Sequence, residues 1–513
     1  MVFESRHVSR PIPDVSLARW FRAGIEPFAA RIALVDGPTG RSYTYRQVLD
    51  LSASVANALV ARGVRPGDRV AFVCPNIPEV ALVYHGVIAA GAVAMMVNPL
   101  STPGELAKYF GVGKPSLVVT LAMFADAIRA ADPGLAMIVI DGTPGLGALL
   151  GMSAAPPEVD VAPDALAVMP YSSGTTGFPK GVMLTQRNII AQCLSLDAVS
   201  DGDVVLPGSN VLAVLPFFHI YGIMAFMTFG LIRGAMLVTM PRFDLEQYLE
   251  LARKYEVPLL HVVPPILLAL AKYPGELRLP KLRAVLAGAA PLGAELAVEF
   301  TRRSGALVYQ VYGMTEVAGA THLGSTAPAR NKPGSIGALI GNAQARLVST
   351  ETGNDVLPGE RGEVWVRGPF VMAGYFENPE ATAETIDADG WLHTGDIGYI
   401  DADGDFFLVD RVKELIKYKG LQVAPAELEA VLLQHEAVAD VAVYPLADEE
   451  AGEIPKAAVV LKPGHSVTAE ALIKFVQDRV SPQKRVRAIK FVDQIPKSAS
   501  GKILRRVLVA AES

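Results

Sequence analysis

Apolar runs rich in β-branched residues recur along this chain, and few of them alternate with polar positions. RVAFV at Arg69, SLVVTL at Ser116 and AMIVID at Ala136 are separated by Ala/Leu-rich stretches with helical spacing, such as QVLDLSASVANALVARG at Gln47. A strand that is apolar on both faces has to be covered on both, which predicts parallel sheets flanked by helices. SNVLAVLP at Ser209, AMLVTM at Ala235, PLLHVVPP at Pro258 and RAVLAGA at Arg283 predict a second sheet of the same kind. Between the two series, residues 151–164 read as a Pro/Ala/acid connecting loop. After Lys332 the texture changes to alternating residues and turn dipeptides, which predicts a small β-rich subdomain. Beyond Asp410 a charged stretch, DRVKELIKYKG, leads into a compact α+β tail. The expected architecture is α/β. A large N-terminal domain, 1–410, would hold two helix-covered sheets and the β-rich subdomain, and a small α+β domain, 411–513, would follow.

A length of 513 residues suits two to four structural units. One segment invites a different reading: VLAVLPFFHIYGIMAFMTFGLI, residues 211–232, is long and apolar enough for a membrane span. Pro216, His219, Gly222 and Gly230 interrupt it and Arg233 ends it, so a buried strand, turn and helix is the expectation. Lys plus Arg number 46 against 52 Asp plus Glu, a formal charge of -6, which leaves no basic field for a nucleic-acid backbone. Cys74 and Cys193 stand far apart without metal-ligand spacing, and the first residues carry no apolar leader core, so a cytoplasmic protein is expected.

The stretch YSSGTTGFPKGVMLT, from Tyr171, calls for different chemistry. Small residues let backbone N–H groups converge on an anion, hydroxyls add donors without bulk, and a lysine adds a point charge. This is a phosphate-cradle candidate. It is not a Walker loop, because Gly177 is followed by Phe178, Pro179, Lys180 and Gly181. The plainer alternative is a polar surface loop whose glycines serve turns, but an ordinary turn needs far fewer special residues than this ordered string contains.

Seven more motifs follow in order: LPFFHIYG from Leu215, GAAPL from Gly288, YGMTE from Tyr312, KPGSIG from Lys332, GWLHTGD from Gly390, DRVKELIKYKGLQVAPAELE from Asp410 and PKSASGKILRR from Pro496. Together with the loop, over nearly the full length, they resemble the adenylate-forming acyl-CoA synthetases, a family that includes coumarate–CoA ligases, fatty-acyl-CoA ligases and luciferases. The resemblance implies a reaction in two halves. A carboxylate attacks the α-phosphate of ATP, giving an acyl-adenylate and pyrophosphate, and a thiol then displaces AMP to give a thioester. Carboxylate and triphosphate are both anions, so positioning and charge neutralisation have to supply much of the catalysis.

By the same resemblance Ser172, Ser173, Gly174, Thr175, Thr176, Gly177 and Lys180 would hold the β- and γ-phosphates, with Thr176 and Glu316 beside a Mg2+ ion. Thr315 would contact the α-phosphate. Gly288, Ala289, Ala290 and Tyr312 would form the adenine slot, and Asp396 and Arg411 would hold the ribose hydroxyls. Lys502 in the tail would be the adenylation catalyst, its ammonium offsetting charge between carboxylate and α-phosphate, and Lys417 and Gln422 would serve the same step. Lys413 matches the hinge about which the mobile tail domain would swing after pyrophosphate leaves. Arg242, Lys419 and Gly420 would touch CoA. His219 would lie beside the acyl carboxylate as a gate to the thiol tunnel, or act as a general base, or simply pack in the core.

Some positions depart from the family pattern. Relatives that handle aromatic acids commonly read QGYGMTE; here the string is QVYGMTE, and Val311 stands for a glycine at the acyl-pocket wall. Tyr221, Val317 and Ala318 would line the same cavity. The added bulk implies a narrower pocket that favours aliphatic or smaller hydrophobic acids over flat cinnamates. Arg242 replaces a frequent lysine and keeps its charge, Gln186 replaces a frequent histidine, and no arginine beside YGMTE invites a dicarboxylate. The implied activity is an ATP-dependent acid–thiol ligase using ATP, Mg2+ and coenzyme A. The alternatives are loading of the phosphopantetheine arm of an acyl carrier protein, a luciferase-like oxygenase, and a nucleotide-binding sensor, the last disfavoured by Lys502, Glu316 and Lys417 occurring together.

Overall fold

The structure, a computed structural model, describes residues 1–513 except 144, 152, 174–178, 201, 276, 278, 291, 420, 449–450, 499–500 and 513. Strands Arg69–Val73, Val93–Val97, Leu117–Thr120, Met137–Val139 and Leu166–Ser173 lie parallel in a seven-stranded sheet, which Pro179–Thr185 and Gly374–Tyr375 extend antiparallel at one edge. Their central residues are buried, as strands apolar on both faces require. The second apolar series divides between two sheets. Leu259–Val262, Ala284–Ala287 and Leu307–Met314 run parallel and are continued antiparallel by Gly319–Leu323 and Ala338–Leu339. Asn210–Ala213 and Met236–Thr239 instead join Ile32–Asp36 and Ser42–Thr44.

The alternating region after Lys332 forms an antiparallel sheet of Gln344–Val348, Gly362–Arg367, Leu392–Ile400 and Phe406–Arg411, with Phe3–Glu4 added at its edge. One continuous apolar core runs from Leu17 to Phe406. A separate core starts at Ile416 and packs helices Pro425–Leu433 and Ala469–Gln477 against the strands of the tail. Residues 211–232 fold as the sequence suggests: strand Asn210–Ala213, a turn, then a wide π-helical segment, Gly222–Thr228, leading into the short helix Phe229–Ile232. No described helix is long and apolar enough to cross a membrane.

Local chemistry sets where elements begin. Thr185, the last residue of the glycine–hydroxyl motif, caps helix Gln186–Asp197: its side chain accepts from Asn188 N–H at 3.1 Å, while Asn188 accepts from Thr185 N–H at 2.9 Å. The reciprocal cap contributes about 1 kcal/mol and fixes the direction in which that helix leaves the loop. Gln186, which carries no inferred role in the sequence, is fully buried and accepts from Leu17 N–H at 2.7 Å, tying down the N-terminal helix Leu17–Ile25.

Gly313, in YGMTE, is demanded by a close approach: a Cβ there would lie 1.8 Å from the Gly319 carbonyl oxygen across the hairpin. Because that contact is with backbone, Gly313→Ala should lower the chemical-denaturation midpoint of the N-terminal unit, a loss of about 1–3 kcal/mol, and a midpoint equal to that of the unsubstituted chain would contradict the close approach.

Candidate active site

The glycine–hydroxyl motif runs along two antiparallel strands, Leu166–Ser173 and Pro179–Thr185, and residues 174–178 between them lie outside the described residues, so Gly174, Thr175, Thr176 and Gly177 are not placed. Ser173 is placed by its backbone only. The arms are set in register, Ser172 opposite Lys180 and Tyr171 opposite Gly181. The Lys180 ammonium stands 4.7 Å from the centroid of the Tyr375 ring, and the Tyr375 hydroxyl donates to Glu316 Oε1 at 2.8 Å. Ser172 and Thr385 flank that hydroxyl. Burial, reinforced by Glu316, pushes the Tyr375 hydroxyl well above its ordinary value, so it stays protonated and remains a donor.

The YGMTE strand serves two faces at once. A register shift between Tyr312 and Gly313 re-aims the end of strand Leu307–Met314, and the turn Thr315–Val317 brings the chain back along Gly319–Leu323. Val311, Gly313, Met314 and Thr315 line a cavity. Tyr312 points elsewhere, its hydroxyl donating to Asp396 Oδ2 at 2.6 Å. Arg411 Nε donates to Asp396 Oδ1 at 2.9 Å, and the two residues are directly opposed on neighbouring strands. Asp396 is buried, its carboxylate held between a phenol and a guanidinium. Burial and then Asp396 hold the Tyr312 hydroxyl far up, and the Asp396 charge raises Arg411.

The cavity encloses about 610 Å3 of empty space, its open mouth included, and its wall is largely apolar. It brings together His219, Tyr221, Ala289, Val311, Thr315 and Lys502. Gly288 sits behind that wall: a Cβ there would come within 2.7 Å of Val311 Cγ1 and 3.1 Å of the Tyr221 ring, so Val311 occupies the space that a larger residue would need. Ala289 turns the chain with φ 68°, a left-handed conformation rare outside glycine and common at binding sites. Ala290 follows it directly and is half-buried.

His219 Nδ1 accepts from Tyr221 N–H at 3.3 Å, which leaves the ring proton on Nε2. Burial and then the Lys502 charge lower His219 to about 4, so it is neutral at neutral pH. The Tyr221 hydroxyl is turned back onto His261 Nδ1 at 3.0 Å, leaving its ring to face the cavity.

Lys502 is the contribution of the tail. Its loop is pinned on both sides, by Lys497 Nζ on Asp440 at 2.6 Å and by Arg505 Nη2 on Glu429 at 2.7 and 2.9 Å, with Arg505 also paired to Glu414. Gly501, at φ 81°, abuts Pro265 of the large unit; a Cβ there would meet the Pro265 ring at 3.0 Å. Burial, and then the Arg411 guanidinium, lower Lys502 below its ordinary value, while Asp396, Glu316 and Glu414 pull it back up.

Other residues singled out in the sequence lie apart. Val317 and Ala318 are fully buried in the main core rather than on the cavity lining, because Ala318, at φ 54°, turns the chain before the wall resumes at Gly319 and Ala320. Lys417 is exposed: strand alternation turns Ile416 into the tail core and Lys417 out of it. Gln422, opposite Lys417, is placed by its backbone only. Lys413, Lys419 and Arg242 are exposed, and Gly420 lies outside the described residues. Tyr375, Gln192 and His261 were not legible as site residues. Gln192 and Leu196 reach the cavity from one face of the helix capped by Thr185, and Gln192 Nε2 donates to the Ala320 carbonyl at 3.0 Å. Their i, i+4 spacing is the only signal the sequence offers for them.

A buried carboxylate clamp and an apolar cavity with a lysine brought in from a separate tail, beside the arms of the glycine–hydroxyl motif, fit an adenylate-forming ligase of the AMP-forming acyl-CoA synthetase class. The chain belongs to the AMP-binding enzyme family: the model of that family matches residues 21–376, and the model of its C-terminal domain matches residues 427–502. It is 40% identical to 4-coumarate–CoA ligase 2 of Nicotiana tabacum over 527 residues, covering 99% of this chain and 97% of the relative. The ATP-bound structure of MatB from Rhodopseudomonas palustris superposes with TM-score 0.90 at 28% identity, covering 97% of this chain and 99% of that one. The apo structure of the same protein superposes at 0.79 with the same coverage, so the present arrangement is nearer to the ATP-bound one.

The Lys502 ammonium is expected to titrate below 10.5, read from its methyl resonance after 13C-methylation. Asp396→Asn removes a charge that raises it, and so should lower it further. Titration at or above the ordinary value would contradict this electrostatic account.

Proposed function

We propose that this enzyme joins a hydrophobic carboxylic acid to coenzyme A in two steps at one site. In the first, a carboxylate oxygen attacks the α-phosphorus of ATP, the bond to the bridging oxygen breaks, and pyrophosphate leaves with acyl-AMP remaining. In the second, the CoA thiol gives its proton to solvent, its sulfur attacks the acyl carbon, and the acyl C–O bond of the mixed anhydride breaks so that AMP leaves with that oxygen. The observation that carries this reading is the entry of Lys502 into the wall of the acyl cavity beside His219, within electrostatic reach of Asp396 and Glu316.

Each role follows from charge and reach. The acid's tail lies along Val311 and the Tyr221 ring, with its carboxylate toward His219, whose neutral Nε2–H donates to it. Lys502 bridges carboxylate and α-phosphate and offsets the negative charge that grows as they approach, with Thr315 as a further donor. Tyr312 and Ala289 flank adenine together with Gly288 and Ala290, and Asp396 and Arg411 hold the ribose. Lys180 and Ser172, with the hydroxyls and glycines of 173–177, hold the β- and γ-phosphates. Mg2+ fits the carboxylate present there: Glu316 is a hard oxygen donor, and with Thr176, which lies outside the described residues, it would leave the rest of the ion's shell to substrate phosphates. Bound there, the ion would neutralise phosphate charge.

Lys417 and Gln422 assist adenylation from the tail. After pyrophosphate leaves, the tail rotates about Lys413, and Arg242, Lys419 and Gly420 meet CoA. CoA is the acceptor we favour over a carrier protein because the relatives 40% identical to this chain are named as CoA ligases.

The test is pyrophosphate release over a panel of acids, with and without CoA. Release that depends on acid, and thioester formation that depends on free CoA, are the expected results; release without acid dependence would contradict the reading. Because Val311 fills the space beside Gly288, hexanoate to dodecanoate should be used better than coumarate, and Val311→Gly should shift relative kcat/KM toward coumarate by about 10-fold or more. A clear preference of the unsubstituted enzyme for coumarate would overturn the narrow-pocket reading.

A further inference from the structure

The phosphate hairpin and the YGMTE turn each bring one charged side chain to the same place, Lys180 from the first and Glu316 from the second. An ammonium and a carboxylate left side by side would pair with each other, and both would then be lost to a ligand. Tyr375 gives each of them a separate contact. Lys180 lies over the face of its ring at 4.7 Å, and Glu316 takes the hydroxyl at its edge at 2.8 Å through Oε1. One side chain thus holds a cation and an anion at two separate points, neither neutralised by the other.

Tyr375 is itself firmly held. It is 6% exposed, its N–H donates to Thr382 Oγ1 at 2.9 Å, and it pairs with Val182 on the second arm of the hairpin. The next two residues clip the same strap to the far side of the large sheet. Phe376 packs under the Arg69 guanidinium at 5.0 Å, and Glu377 pairs with Lys114.

We propose that Tyr375 is a positioning residue for the triphosphate, keeping Lys180 aimed at phosphate oxygens and Glu316 free for a hard cation. The inference rests on the proposed function, since it is ATP that carries the β- and γ-phosphates into this corner. AMP lacks those groups, so Tyr375 matters for one nucleotide and not for the other.

The experiment is calorimetric titration of the full chain with two probes, Mg2+ plus α,β-methylene-ATP, and AMP, for the unsubstituted enzyme, Tyr375→Phe and Tyr375→Leu. Tyr375→Phe keeps the ring and loses the bond to Glu316, and should weaken the triphosphate analogue about 10-fold. Tyr375→Leu also loses the ring face under Lys180, and should weaken it by roughly a further 3-fold. AMP affinity should stay within about 2-fold in both, which also reports that the variants are folded, and KM for the acid should not move. Equal losses for the two nucleotides would make Tyr375 a general structural residue and overturn the inference, as would unchanged affinity for the analogue. If the unsubstituted enzyme bound neither nucleotide, the proposed function itself would fall, and this inference with it.

Discussion

A protonated amine has to be held against the wall of an apolar cavity, and much of this structure follows from how that is done. Burial, and then the Arg411 charge, weaken the hold of Lys502 on its proton. Asp396, Glu316 and Glu414 oppose that weakening, and they come from different parts of the chain: the β-rich sheet, the YGMTE turn and the segment just before the tail core. Docking buries the lysine and lowers its proton affinity, and these three carboxylates limit that effect. Docking and charge are coupled, and an incoming carboxylate and triphosphate would strengthen both.

Asp396 has the same logic on the opposite side. Its carboxylate is fixed by Tyr312 from one sheet and Arg411 from another, so the clamp depends on the packing of two layers rather than on a single loop. The YGMTE strand couples these regions. Gly313 allows the hairpin to close, strand alternation turns Val311 to the cavity and Tyr312 to the clamp, and Glu316 emerges at the turn beside Tyr375. The cavity wall, the Asp396 clamp and the Glu316 contact are thereby set by six consecutive residues (311–316), and a small displacement there would be felt at all three.

The layout of sheets was legible because fully buried strands and turn-rich alternating strands leave different residue patterns. The splitting of the second apolar series between two sheets was not, since periodicity says which faces are buried and nothing about which strand is the neighbour. Residues to which we assign chemistry under the proposed function, such as Lys502, His219, Asp396 and Lys180, stand out by type and motif. The family resemblance implies Val317 and Ala318 on the cavity wall, and the left-handed turn at Ala318 directs the chain past it. Tyr375, His261 and Gln192 act through partners 40 or more residues away, Glu316, Tyr221 and Ala320, and no local pattern announces such contacts.

The most direct test of the central claim separates the two half-reactions. Lys502→Ala should reduce acid-dependent exchange of pyrophosphate into ATP by about 100-fold or more, while thioester formation from synthetic acyl-adenylate and CoA continues at the unsubstituted rate. Exchange that persists undiminished in the variant would mean that the buried ammonium is not what joins carboxylate to phosphate, and the account would fail.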